Sequence, residues 1–158
     1  MLARHRYEEA LASLRRIGSV GLIDSVRNNL ASVLVAVGEY RAALALVDEA
    51  LRNRRRLGGP FRPGDYLKVA ACVASWTGDA LTAAHLHGAS DAYTEDLVSR
   101  STQWLATYEV HTERESLERI HEVLSEEAYQ REYEVGRALS PEEIYEVVLG
   151  LDAGASTG

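Results

Sequence analysis

Apolar residues recur at every third or fourth position through each periodic stretch of this chain, and no stretch alternates strictly between apolar and polar. That periodicity restricts the fold to helices packed on helices, because a half-buried strand needs a period of two. The stretch VGEYRAALALVDEAL, Val37 to Leu51, shows the rule. Ala43, Leu44, Val47, Ala50 and Leu51 fall on one face, while Arg41, Asp48, Glu49 and Arg52 take the exposed remainder. Before it, Val26, Leu30, Val33, Leu34 and Val37 form a stripe on a helix expected from about Leu22 to Val37. Gly38 ends that helix, and so short a connection makes the two helices antiparallel neighbours. Ala43 and Ala50 are then contact points, where a larger side chain would hold the helices apart.

The pattern recurs along the chain. An apolar helix expected from about Asp65 to Trp76 is followed by Gly78 and Asp79, and then by Ala83, Ala84 and Leu86. Gly38 and Gly78 are 78 − 38 = 40 residues apart. RYEEALASLRRI aligns with EYRAALALVDEA at an offset of 33, Tyr7 on Tyr40 and Ala10 on Ala43. Leu30, Ala31, Leu34, Gly38, Tyr40, Ala43, Val47 and Ala50 resemble one tetratricopeptide unit, spanning about Asp24 to Leu57. The following copy departs from that pattern through the extra loop GGPFRPGD and through His87 and Ser90.

The resemblance implies an all-α, tetratricopeptide-like solenoid of helical hairpins with about seven helices and no strand. A single domain is expected over residues 1–151, with degenerate repeats at about 3–20, 22–57 and 64–95 and further helices over about 97–151. Ser140, Pro141 and Glu143 predict a capping box that starts a terminal helix burying Ile144, Val147, Val148 and Leu151. The tail 152–158 is expected to fray.

TAAHLHGASDAY, followed by LERIHEVLSEEAYQREYEVGRALSPEEIYEVVL, resembles the C-terminal end of large regulators common in actinobacteria. Those proteins join an ATP-binding signalling domain, sometimes a cyclase or a LuxR-type DNA-binding domain, to tetratricopeptide-like helices. The likeness covers roughly Gly38 to Leu149, and EVGRALSPEE is its most telling element.

Charge and cysteine content narrow the function. The net charge is −7, and the window His111 to Gly150 accounts for all of it, with four arginines and eleven glutamates giving 4 − 11 = −7. An acidic surface opposes nonspecific binding to nucleic acid or anionic membrane. The local exception is LRNRRRLGG, where Arg52, Arg54, Arg55 and Arg56 cluster. They stand where a helix ends before Gly58, so they also suit the negative end of its dipole. Nucleic-acid binding through Arg52–Arg56 is therefore the least favoured reading. Cys72, the only cysteine, sits in the apolar run VAACVAS and reads as a buried hydrophobe in a reducing cytoplasm. The longest apolar run, Val33 to Val37, is far too short to span a bilayer.

No catalytic or cofactor motif is present. GxxxxGK[ST] and GxSxG do not occur. His85 and His87 in HLH are two apart, so on a helix they face different directions and do not share a metal. The sequence thus predicts no enzyme activity, no cofactor and no metal, and favours a protein-interaction module serving a protein, a peptide or neighbouring domains of a longer regulator. A small all-helical ligand-binding domain or enzyme is the alternative, with Lys68, Cys72 and Trp76 as its polar cluster. If the tetratricopeptide resemblance holds, the first helix of each pair lines a concave groove. It then places Asn28, Ser32 and Val35 beside Lys68, Cys72 and Ser75 as the candidate binding surface. RYEEALASLRRI matches a second repeat helix whose first helix is absent. The end exposing Ala10, Leu11, Leu14 and Ile17 is accordingly expected to meet either a longer chain or a second subunit in a homodimer.

Overall fold

The computed structural model describes residues 2–18, 20–58, 63, 66–94 and 107–154. Among the described residues there are eight helices and no strand. They are α1 Leu2–Ile17, α2 Val20–Ala36, α3 Tyr40–Leu57, α4 Tyr66–Trp76, α5 Ala80–Thr94, α6 Thr107–Val123, α7 Glu126–Arg137 and α8 Pro141–Gly154. The all-helical class follows the periodicity, but the count exceeds the expected seven. The chain breaks between α6 and α7 at Ser125, whose hydroxyl accepts from the Ala128 N–H at 3.2 Å. Glu126 and Glu127 fill the first turn of α7, where negative charge suits the helix N-terminus.

The capping box at α8 forms as its residues dictate. The Glu143 N–H donates to Ser140 Oγ at 3.3 Å, and the Ser140 N–H returns to Glu143 Oε2 at 2.8 Å. In the helix that follows, Ile144, Val148 and Leu151 are buried as expected, while Val147 is only half-buried at the edge of that face. α8 continues to Gly154, and residues 155–158 of the expected tail lie outside the described residues. Most of the loop GGPFRPGD and the expected start of the C-terminal helices near residue 97 lie outside them as well.

Two turns with the same geometry build the central hairpins. Gly38 and Gly78 have positive φ, 79° and 89°, a conformation that side chains other than glycine rarely adopt. The Glu39 N–H reaches back to the Leu34 carbonyl and the Asp79 N–H to the Ala74 carbonyl, 2.8 and 2.9 Å. Gly38 and Gly78 themselves donate to Val35 and Ser75. This is the Schellman closure, which satisfies the last carbonyls of α2 and α4 and reverses the chain. The expected contact alanines, Ala43 and Ala50, are fully buried. The Tyr66 hydroxyl donates to the Asp24 carbonyl at 2.8 Å, so α4 starts beside the start of α2 and runs parallel to it.

An ion network locks α2 and α3 together. Arg27, buried at 3% exposure, donates to Glu49 at 2.9 Å and to Asp24 at 3.3 Å, and Arg54 reaches Asp24 at 3.1 Å. Glu49, placed by periodicity on an exposed face, is thus the acceptor for a buried guanidinium on the facing helix. Helical phase gives the direction of a residue but not the arginine that reaches it from another helix.

α5 is the hub of the fold. Ala80, Ala83, Ala84, Leu86, His87, Gly88, Ala89 and Ser90 are all buried, because α4, α6, α7 and α8 pack around it. The crossing with α7 is the tightest. A Cβ on Gly88 would collide with the Tyr133 carbonyl, and one on Gly136 with the His85 carbonyl. The hydroxyl of Tyr133 reaches Asp91 at 2.9 Å and that of Tyr93 reaches the Leu139 carbonyl at 3.1 Å, which fixes the register of this contact. No helix among the described residues is long and apolar enough to cross a membrane.

Gly136→Ala is expected to destabilise by about 1 to 3 kcal/mol through overpacking, although alanine is the better helix former by about 1 kcal/mol. Gly150 on α8 has open space around its Cβ position. Gly150→Ala should therefore stabilise by about 0.5 to 1 kcal/mol. Urea unfolding midpoints that move in opposite directions for the two variants test the backbone contact.

Candidate functional site

Parallel packing of α2 and α4 brings all six candidate groove residues to one face. Asn28, Ser32 and Val35 lie along α2, and Lys68, Cys72 and Ser75 along α4. The face is covered. Asn28, Ser32, Val35, Cys72 and Ser75 are buried, and Lys68 keeps a quarter of its side-chain surface. Helix α6 lies across both helices and also reaches α5. The expected open groove is therefore filled by a later segment of the same chain, a long-range contact that no local pattern encodes.

The seam beneath α6 is small and polar. Lys68 Nζ pairs with Glu113 Oε1 at 2.9 Å, the Cys72 thiol donates to the Thr112 carbonyl at 3.7 Å, and the Arg119 guanidinium stacks 4.9 Å over the Trp76 ring. The contact at the start of α4, Lys68 with Glu113, precedes the one at its end, Trp76 with Arg119, on both helices, so α6 runs parallel to α4. From α5, His87 Nε2 meets Ser116 Oγ at 3.3 Å. Thr112, Ser116 and Ile120, spaced by four, form the buried stripe of α6, while His111, Arg114, Glu118 and Glu122 face outward. Ser32 and Ser75 bond to carbonyls of their own helices, Asn28 and Cys72, and present little more than their methylenes to the seam.

Burial sets the chemistry of Cys72 and His87 here. Desolvation pushes the Cys72 thiol up to about 12, which keeps it protonated and unreactive. Desolvation also pulls His87 down to about 4, against the opposing pull of Glu113 and Asp91, so it is neutral. His85, two residues earlier, turns to Glu132 of α7 at 2.9 Å. The two histidines of HLH thus serve different helices. No group of three or more His, Cys, Asp or Glu side chains gathers as a metal site among the described residues.

The arginine cluster is divided among separate tasks. Arg52 pairs with Asp48 on its own helix at 2.7 Å, Arg54 with Asp24, Arg55 lies over the Tyr145 ring of α8, and Arg56 bonds to Asn53. Arg54, Arg55 and Arg56 occupy the last turn of α3, where cations oppose the helix dipole. Arg27 and the α6 residues Thr112, Glu113 and Ser116 were not singled out from the sequence. The spacing of four between Thr112, Ser116 and Ile120 was the available signal for the second group.

No protein-family model matches this chain, nor does any characterised protein or solved structure. Its own residues carry the functional reading.

His87 gives the seam a measurable pH dependence. Its folded value of about 4 lies below the ordinary 6.5, so the unfolded chain takes the proton first as pH falls. The stabilisation is complete above pH 6.5 and declines as pH falls from there towards 4. Unfolding midpoints in urea should fall between pH 7 and pH 5, a window above the usual carboxylate range, and His87→Gln should flatten that slope. An unchanged slope in the variant would remove His87 as its source.

Proposed function

We propose that this chain is a noncatalytic helical-repeat module of tetratricopeptide-like architecture that holds a helical segment on the α2–α4 face. We propose further that it serves as the C-terminal interaction region of a bacterial LuxR-type transcriptional regulator or signalling ATPase. The observation that carries the first reading is α6 itself, seated on this face through Lys68, Cys72 and the neighbouring His87. The pattern Thr112, Glu113, Ser116 describes what the face accepts: small polar residues one helical turn apart beside a carboxylate for Lys68. α6 is then the resident occupant, and a partner helix of the same pattern competes with it. The regulator reading is supported by TAAHLHGASDAY and EVGRALSPEE, which correspond to residues at the tightest crossing of α5 with α7 and at the start of α8.

A labelled peptide of residues 107–123 tests the face. In a chain carrying Glu113→Lys and Ser116→Arg, α6 is repelled by Lys68 and too large for the seam, so the peptide should bind saturably. Wild-type chain should bind it at least about tenfold more weakly, since its own helix is an intramolecular competitor at high effective concentration. Lys68→Glu added to the first variant should abolish binding. Cys72 should alkylate faster in the variant than in the wild type, and the peptide should protect it. A folded variant that leaves the peptide unbound would show that the face does not act as a helix receptor.

A further inference from the structure

The direction in which α6 lies on its face is not set by the helix backbones. α2, α4 and α6 run parallel, so like ends of three helix dipoles lie together, an arrangement that works against this direction. The small polar stripe does not choose a direction either, since Thr112 and Ser116 are two similar buried side chains one turn apart. Two charged side chains of α6 remain, one towards each end of the contact. Near the start of α4, Lys68 meets Glu113 at 2.9 Å, with about a quarter of each side chain exposed. At the last residue of α4, the Trp76 ring lies 4.9 Å beneath the Arg119 guanidinium.

Arg119 has carboxylates within reach on its own helix. Glu115 and Glu122 stand four residues before it and three after, the usual spacings for an ion pair on a helix surface. Among the described residues Arg119 pairs with neither, and the Trp76 ring is its one partner. An indole face is the strongest aromatic site for a cation, and Trp76 is half-buried, so part of that face is kept from water. A carboxylate in the same place would meet the negative face of the ring. The next residue, Ile120, is fully buried and anchors the helix beside this contact.

We propose that the partner competing with α6 is an amphipathic helix of another protein with a fixed charge polarity, and that Trp76 selects it by reading an arginine. Counted from the glutamate that meets Lys68, that helix carries a small polar residue three positions on, the arginine six on and an aliphatic anchor seven on, the spacing of Glu113, Ser116, Arg119 and Ile120. The inference rests on the reading of the α2–α4 face as a helix receptor. A helix laid on the face in reverse would bring its arginine to Lys68 and its carboxylate to the Trp76 ring. Two attractions would become two repulsions, so the face rejects the wrong direction as well as favouring the right one.

Altered peptides of residues 107–123, offered to the full-length chain carrying Glu113→Lys and Ser116→Arg, test the assignment. Arg119→Gln in the peptide should weaken binding about three- to fivefold, the worth of an exposed cation on a ring. Exchanging the charges, Glu113→Arg with Arg119→Glu, should weaken it at least about tenfold. With Trp76→Leu added to the receiving chain, the penalty of Arg119→Gln should vanish while that of Glu113→Gln persists, a pattern that a general loss of packing does not give. A second measurement uses the otherwise native chain, in which Arg119 is exposed and its substitution leaves the core intact. There Arg119→Gln should speed alkylation of Cys72, the only cysteine, about three- to fivefold, and Arg119→Lys should restore most of the slow rate. A native peptide that binds while Arg119→Gln costs nothing, a penalty that survives Trp76→Leu, or an unchanged alkylation rate overturns the role of Trp76 and leaves the receptor reading in place. A native peptide that does not bind overturns both.

Discussion

Backbone contact between α5 and α7 is the constraint on which the arrangement of the C-terminal half depends. With glycine at 88 and at 136, each helix comes close enough for its peptide groups to touch the other, and no side chain fits between them. Tyr93 and Tyr133 then set the register by hydrogen bonds to the Leu139 carbonyl and to Asp91. With α7 seated so closely, α6 before it and α8 after it have little choice of position. α6 is drawn over α2 and α4, and α8 packs against α3, α4 and α5. A single methyl group at either glycine would separate the two helices and shift everything attached to them.

The two halves of the molecule are held by different kinds of force. Among α2, α3 and α4 an alanine-rich core, with Ala31, Ala43, Ala50, Ala70, Ala71 and Ala74 fully buried, gives close packing by small volume. Arg27 then fastens it through Asp24 and Glu49. Beneath α6 the contact is of another character. Thr112, Ser116, His87 and Cys72 bury little apolar area and rely on hydrogen bonds and on the Lys68–Glu113 pair. Individual bonds of that type contribute about 1 kcal/mol net, because water offers nearly equivalent partners. Such a seam is specific in its pattern and modest in its strength.

Charge separates along the same lines as structure. Most glutamates of α6, α7 and α8 point outward because these helices bury every third or fourth residue, Glu113 and Glu132 being the ones that turn inward to Lys68 and His85. The arginines at the ends of α1 and α3 gather because both helices finish at one end of the hairpin stack.

Local chemistry in the sequence determined the helices, their breaks and several of their caps. The 3.6-residue stripes, Gly38, Gly78 and the Ser140–Glu143 box act within a few residues of themselves, so the chain writes them directly. The Ser125 cap is equally local but has no glutamate or glutamine three residues on, and Ala128 stands there instead, so the break before α7 was the harder one to read. α2 and α4 run parallel because α3 lies between them as an antiparallel neighbour, so the phase of each helix places Asn28, Ser32 and Val35 alongside Lys68, Cys72 and Ser75 on one face. Tertiary structure alone decided what covers that face, which acceptor Arg27 finds, and why Gly88 and Gly136 are required. Each of those depends on residues 20 or more positions apart along the chain, as the Arg27–Glu49 separation of 22 illustrates. Helical phase gives the direction in which a side chain leaves its own helix. It carries no information about which other helix is waiting there.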